Sequence, residues 1–254
     1  MEKGTGRPAI SNAKYESTGE TKVWLGVTLH RIRAKIAIGP VAAGAVVGWV
    51  ESEKNLGVSG NAWVFGNAQV YGDAVVSGNA QVYGDAVVSG NARVYGNAQV
   101  SGHAQVSGNA QVYGDAVVYG VARVSGDAVV YGNARVYYDA LVSGHARVYG
   151  DARVSGRAQV YGDARVSGRA LVSGPARVSG VVLLATRSDN YNFVAVQTPY
   201  GPRIIAGCRY FTFAEARKHW NETRGGTQLG DESLALVDFL ERMCVIRGFM
   251  EPVK

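Results

Sequence analysis

Apolar and polar positions alternate in a six-residue pattern through the middle of the chain. Residues 57–182 form 21 units of the type x-Val-[Tyr/Ser/Phe]-Gly-[Asn/Asp]-Ala, with no insertion between them. Side chains alternate across an extended strand, so the Val and Ala of each unit are expected to point inward, where small residues fit the corners. Gly followed by Asn or Asp tolerates positive φ and favours a bend. The pattern predicts a short strand and a corner in every unit.

Three such units would close one triangular coil of 18 residues. Coils would stack about 4.8 Å apart, as in other hydrogen-bonded sheets, and 21 units give about seven coils. We therefore predict a mainly β protein, a single-stranded parallel β-helix. Its open end strands require caps, because an unpaired strand is a template for pairing.

The segments before and after the repeat form the other predicted parts of the chain. Residues 1–22 are predicted to be a flexible N-terminal segment, and residues 23–56, which alternate in short runs broken by glycine, are predicted to be a β N-terminal cap. Residues 57–182 form the repeat. Residues 183–254 are predicted to be a C-terminal hairpin followed by two helices.

Local signals define that C-terminal module. Residues 193–196 and 203–206 flank a Pro/Gly-rich turn, which is typical of a hairpin. Thr212 and Glu215 have capping-box spacing, so a first helix should begin there, and a second is predicted over residues 231–247. The module is interpreted either as a hydrophobic cap over the last coil or as a docking module. Met243, Phe249 and Met250 would be exposed in the second case.

The repeats Val-Tyr-Gly-Asp-Ala and Val-Ser-Gly-Asn-Ala resemble those of hexapeptide-repeat proteins, the left-handed β-helix group that includes acyltransferases and γ-class carbonic anhydrases. The glycine lies one place later than in that motif, and the right-handed bactofilin type is the alternative. Residues 28–34, 48–56 and 204–208 resemble more closely those of uncharacterised phage and prophage polypeptides that carry this repeat. The resemblance covers about residues 23–220. It implies a left-handed helix and no established activity.

Charge and cysteine content indicate which partners and which cellular location suit the protein. Lys and Arg exceed Asp and Glu by 26 to 20, a mild basic excess that permits an anionic partner without requiring one. Cys208 and Cys244 lack the spacing of a disulfide framework, which favours a reduced, intracellular protein, with a disulfide between them as the alternative. No apolar run is long enough to span a bilayer. We therefore expect a cytoplasmic protein that has no membrane contact, in the host cytoplasm if it is phage-encoded.

His103 and His145 are the weak catalytic candidates, since both occupy the Asn/Asp corner position of a unit. An acyltransferase that resembles this repeat would use such a histidine near a subunit boundary as general base. Those enzymes usually interrupt the coils with a loop over the acyl donor, and no insertion is present here. The two histidines fall on different corner columns, so they cannot share a zinc ion within one chain. Solvated corner histidines are the simpler interpretation, and no metal or cofactor is predicted.

A candidate binding face comes from the 18-residue spacing. The spacing places the following residues on one face: Tyr95, Tyr113, Tyr131, Tyr149, Arg147 and Arg165. The tyrosines either stabilise the sheet as a ladder or form a binding stripe. Repeat residues 57–116 carry a net charge of −2 and residues 117–182 a net charge of +4. The arginines either keep a flat face soluble or bind an anion, including nucleic acid.

The sequence favours a non-enzymatic structural or interaction protein that presents flat faces to a partner. The partner is expected to be another protein or a second copy of the chain, with a homotrimer as one form. Two alternatives are a hexapeptide-type acyltransferase, which rests on fold resemblance alone, and a nucleotide- or anion-binding counter-defence protein that uses the tyrosines and the basic coils.

Overall fold

The computed structural model describes residues 10–180, 182–198 and 200–250. The chain has two units, Met1–Gly126 and Asp127–Lys254. In both units short parallel strands recur every 18 residues, and they amount to about seven turns of a β-solenoid. Strands precede these turns, and a small helical part follows them. The predicted fold class is therefore confirmed.

The N-terminal unit begins with three antiparallel strands, β1 (Tyr15–Trp24), β2 (Val27–Ala34) and β3 (Val46–Val50). The turn between β1 and β2 has positive φ at both central residues, Leu25 and Gly26, as a type I′ hairpin requires. Because β1 begins at Tyr15, the prediction of a flexible segment over residues 1–22 is corrected from that residue onward. Tyr15 is fully buried, and its hydroxyl donates to the carbonyl of Ala62, which anchors the strand. Residues 1–9 lie outside the described residues.

The same unit continues with a 3₁₀ turn, Glu53–Asn55, and strands of two residues each. These strands are β4 (Trp63–Val64), β5 (Gln69–Val70), β6 (Val75–Val76), β7 (Gln81–Val82), β8 (Val87–Val88), β9 (Arg93–Val94), β10 (Gln99–Val100), β11 (Gln105–Val106), β12 (Gln111–Val112), β13 (Val117–Val118) and β14 (Arg123–Val124). Strands three units apart pair in parallel, in the orders β3-β5-β8-β11-β14, β4-β7-β10-β13 and β6-β9-β12.

Backbone hydrogen bonds join each coil to the next. In one example, the amide of Gln99 donates to the carbonyl of Ala116 over 2.9 Å, and the amide of Ser101 donates to the carbonyl of Val118 over 2.9 Å. From Ala62 to Val178 the inward Val and Ala side chains of the repeat are buried, including Val100, whereas Val58 of the first unit is 54% exposed. The solenoid is therefore held by a narrow aliphatic core and by ladders of backbone bonds that leave the faces flat.

The C-terminal unit repeats this arrangement. Its two-residue strands are β15 (Val129–Val130), β16 (Arg135–Val136), β17 (Leu141–Val142), β18 (Arg147–Val148), β19 (Arg153–Val154), β20 (Gln159–Val160), β21 (Arg165–Val166), β22 (Leu171–Val172) and β23 (Arg177–Val178). They pair in parallel in the orders β15-β18-β21, β16-β19-β22 and β17-β20-β23.

Tyr138 occupies a corner position that glycine fills in neighbouring units, and it has a φ of 59°. A side chain in this left-handed region costs roughly 1–2 kcal/mol. We expect Tyr138→Gly to be more stable than Tyr138→Ala by about 1 kcal/mol in urea unfolding. Both variants lose the ring contact with Tyr137, and only alanine keeps the strain. Equal free energies of unfolding would contradict this account.

An antiparallel sheet and two helices complete the C-terminal unit. The strands are β24 (Val182–Thr186), β25 (Asn192–Val196), β26 (Arg203–Ala206) and β27 (Arg209–Phe211), and the helices are α1 (Phe213–Arg224) and α2 (Gln228–Ile246). The observed pairing of β25 with β26 matches the expected hairpin. Thr212 and Glu215 make the expected reciprocal capping bonds at α1. Helix α2 begins three residues earlier than predicted, because Thr227 caps it by accepting from the amide of Gly230.

One apolar cluster joins this sheet to the helices, with Phe193, Trp220 and Leu240 among its buried members. Met243, Phe249 and Met250 pack against the cluster and are partly buried. The exposure that the docking interpretation required of them is therefore not observed, because the cluster covers part of each side chain. Both cysteines are free, and burial raises the pKa of Cys244 to about 11. Within the described ranges, no helix is long and apolar enough to cross a membrane.

Candidate binding face and corner histidines

The structure places the four tyrosines of the candidate face directly after strands of one sheet in each unit. In the N-terminal unit the rings of Tyr95 and Tyr113 stack with centroids 4.8 Å apart and planes 9° apart. In the C-terminal unit Tyr131 and Tyr149 stack with centroids 5.0 Å apart and planes 6° apart. All four side chains are half-buried. The parallel register produces this stacking, because the same position recurs one coil later.

This stacking limits what the tyrosines can bind. Within each pair the two rings cover one face of each other, so that face is closed to a further stacking partner. The hydroxyl of Tyr95 donates to Oε1 of Gln111 over 3.3 Å. Sequence-tolerant binding of single-stranded nucleic acid uses open aromatic faces on which successive bases stack. The stacking within each pair therefore favours a stabilising role for these rings.

A cavity of about 390 Å³ lies beside the tyrosine pair of the N-terminal unit. Its lining includes Ser77, Arg93 and Tyr95. Ser77 holds the position one coil before Tyr95, and this small residue leaves space next to the ring. The cavity has the size and the mixed apolar and cationic lining that suit one anchoring side chain of a partner.

Arginines stand in pairs on the C-terminal unit. Arg147 lies directly opposite Arg165 in the parallel register, and Arg135 lies opposite Arg153. All four side chains are exposed, and none has a salt bridge with a carboxylate among the described residues. Like charges directly opposite each other destabilise a sheet. The two pairs lie in different sheets, and each is a local basic site that would gain from an external anion.

The two corner histidines each face one carboxylate. Nδ1 of His103 lies 3.7 Å from Oδ2 of Asp85 in the N-terminal unit, and Nδ1 of His145 lies 3.5 Å from Oδ2 of Asp127 in the C-terminal unit. The histidine side chains are 70% and 69% exposed. They continue a corner ladder in which Asn and Asp side chains 18 residues apart also bond, as Asn97 does to Asp115 over 3.0 Å. The part of the chain that the structure describes holds no group of three potential metal ligands.

A cavity of about 290 Å³ lies in the C-terminal sheet and helix module, and no sequence pattern predicts it. The residues that line it include Arg187, Tyr191, Arg209, His219, Trp220 and Arg224. They come from the turn after β24, from β27 and from α1. No motif links these segments, so only the packing of α1 against the sheet brings them together.

The repeats define the class of the molecule as a β-solenoid repeat protein. Six stretches match the family model described as YdcK Beta solenoid repeat, at residues 68–84, 80–96, 86–102, 104–120, 122–138 and 158–174. The matched stretches cover less than half of the chain, so the similarity is one of repeat type. No curated protein matches the chain. The resemblance to phage and prophage polypeptides stays a prediction.

Proposed function

We propose that this protein is a non-enzymatic β-solenoid binding protein, and that its partner is a protein with an acidic surface. The in-register arginine pairs of the C-terminal unit carry the proposal. Arg147 and Arg165 are exposed and repel each other, and the described residues supply them with no salt-bridge partner. Carboxylates of a partner would neutralise both guanidinium groups in bidentate geometry. Nearby Tyr149 adds the residue type that, with arginine, is enriched at protein interfaces.

Two other occupants fit the face less well. Nucleic acid would use stacked bases, and the tyrosine rings already stack on one another. A second copy of the chain that docked the same face onto itself would bring like charges together, which costs affinity. An acidic protein surface avoids both difficulties. Native mass spectrometry, described below, tests for self-association through other faces, including a trimer.

A binding assay with a model acidic polymer tests the proposal. Labelled poly-L-glutamate is titrated with the wild-type protein and with the double variant Arg147→Gln, Arg165→Gln, at two salt concentrations. We expect salt-sensitive binding that the double variant weakens about tenfold. The matched control is Arg157→Gln, Arg177→Gln, which removes the same charge from other exposed positions. This control is expected to weaken binding less than about twofold.

Other outcomes would replace the proposal. If both double variants lost the same affinity for poly-L-glutamate, net charge alone would explain the binding. Tighter binding of a single-stranded oligonucleotide would favour a nucleic-acid binder. Release of coenzyme A from acetyl-coenzyme A that His145→Ala abolishes would establish an acyltransferase. Native mass spectrometry of protein from its own host then reports the subunit count and any retained partner.

A further inference from the structure

The cavity in the C-terminal module has an unbalanced charge. The guanidinium of Arg187 is buried and paired, since Nε and Nη2 donate to the carboxylate of Asp189 over 2.9 and 2.7 Å and Nη1 donates to Oγ of Ser233 over 2.8 Å. Arg209 and Arg224 also line the cavity, and neither forms a salt bridge with a described carboxylate. The arginines and the one carboxylate in the lining therefore leave two positive charges without a counter-ion.

Trp220, one of the lining residues, also has a buried donor that lacks an acceptor. Trp220 is 3% exposed, and its indole Nε1 has no hydrogen-bond partner among the described residues. Leaving such a donor unsatisfied costs about 1–3 kcal/mol, so buried donors nearly always have a partner. The two unpaired arginines and the ring of Trp220 line one cavity.

The remaining lining adds no competing negative charge. His219 packs between the rings of Phe211 and Trp220, with centroids 5.1 and 4.9 Å away. Burial and, to a smaller extent, the nearby Arg209 lower the pKa of His219, which disfavours a positive charge on its imidazole. Asp189 is already engaged by Arg187. The three arginines and one aspartate of the lining carry a net charge of +2, which a dianionic ligand would balance.

We propose that this cavity binds the phosphoryl group of a small phosphate monoester. Two arginine forks match the oxygens of a phosphate dianion, which Arg binds in bidentate geometry. The ring of Trp220 lines the same cavity, so its indole signal can report on occupancy. A cavity volume of about 290 Å³ lies at the lower end of small-molecule sites, so it suits the phosphoryl end of a small metabolite.

The indole resonance of Trp220 supplies a local test on the full-length protein. The chain has four tryptophans, and Trp220→Phe assigns the ¹H–¹⁵N signal of this indole. Inorganic phosphate, at mildly alkaline pH where the dianion dominates, is titrated into the wild type. We expect a saturable shift of the Trp220 signal with a dissociation constant of about 1 mM or below. Arg209→Gln and Arg224→Gln are each expected to raise the dissociation constant for phosphate about tenfold.

Controls separate a specific site from salt effects. Arg177→Gln removes an exposed arginine elsewhere in the unit and should leave the titration unchanged. Arg209 and Arg224 are themselves exposed, so their variants should fold, which an unchanged spectrum without phosphate verifies. An equal shift with chloride at matched ionic strength, or no effect of either arginine variant, would overturn the proposal. Acetate that binds as tightly as phosphate would overturn the phosphoryl specificity.

Discussion

Gly90→Val is expected to lower the stability of the N-terminal unit by about 3 kcal/mol. Gly90 has a φ of 68°, a conformation in which a β-branched side chain is strained. A Cβ at this position would meet the backbone N and O of Gly108 at 3.0 Å, so the adjacent coil would have to move. That movement would also disturb the bond from the amide of Asn91 to the carbonyl of Gly108, which is 2.8 Å long.

Hydrogen–deuterium exchange of peptides from this unit is the measurement, because a repeat protein need not unfold as one body. Amides around residues 88–108 should exchange markedly faster in Gly90→Val. The control is Ser89→Val, one residue earlier, where φ is not positive and the side chain is partly exposed. This variant should exchange like the wild type. Equal protection in all three proteins would show that the corner accepts a side chain.

The solenoid could be predicted from the sequence because each unit repeats one solution to the same packing problem. Val and Ala recur at the inward positions, and glycine recurs where φ is positive, so a single unit contains most of the information. Tyr138 departs from the pattern and still adopts a φ of 59°. The neighbouring coils therefore impose the corner conformation even where the residue disfavours it.

The ends of the chain were harder to predict, because their elements depend on contacts distant in sequence. Tyr15 belongs to a strand since it is buried and bonds to Ala62, 47 residues away. The capping box at Thr212 was readable because both partners lie within four residues. At α2 the cap of Thr227 was missed, since no Glu or Gln stands at the reciprocal position.

The candidate sites also differ in how far the sequence predicts them. The spacing of 18 residues was enough to bring together the tyrosine pairs and the arginine pairs, because periodic positions fall on one face. The cavity around Trp220 depends on Arg187, Arg209 and Arg224, which lie in three unrelated segments. Their convergence follows from the packing of α1 on the sheet, for which the sequence offers no short-range signal.

Arg187→Met is expected to destabilise the C-terminal module by about 3 kcal/mol. Arg187 is 3% exposed, and its guanidinium carbon lies 4.9, 5.4 and 6.0 Å from the ring centroids of Tyr191, Trp220 and Phe193. Methionine keeps much of the apolar volume and loses the cation–π contacts and the charged hydrogen bonds. Urea unfolding followed by the helical circular dichroism signal measures the change. Arg177→Met, at an exposed position of the same unit, should change stability by no more than about 0.5 kcal/mol.

The pH dependence of the stability difference between wild type and Arg187→Met shows whether the ion pair with Asp189 contributes to it. Hydrogen bonds from Arg187 lower the pKa of Asp189 from 3.8 to about 2. A carboxyl group with a lowered pKa in the folded state stabilises the protein above its unfolded pKa, and this stabilisation is lost as the pH falls toward the folded pKa. The gap between wild type and Arg187→Met should therefore be constant above about pH 5 and narrow between about pH 5 and pH 2. A gap that stays constant across this range would assign the whole effect to packing against the three rings, and none of it to the ion pair.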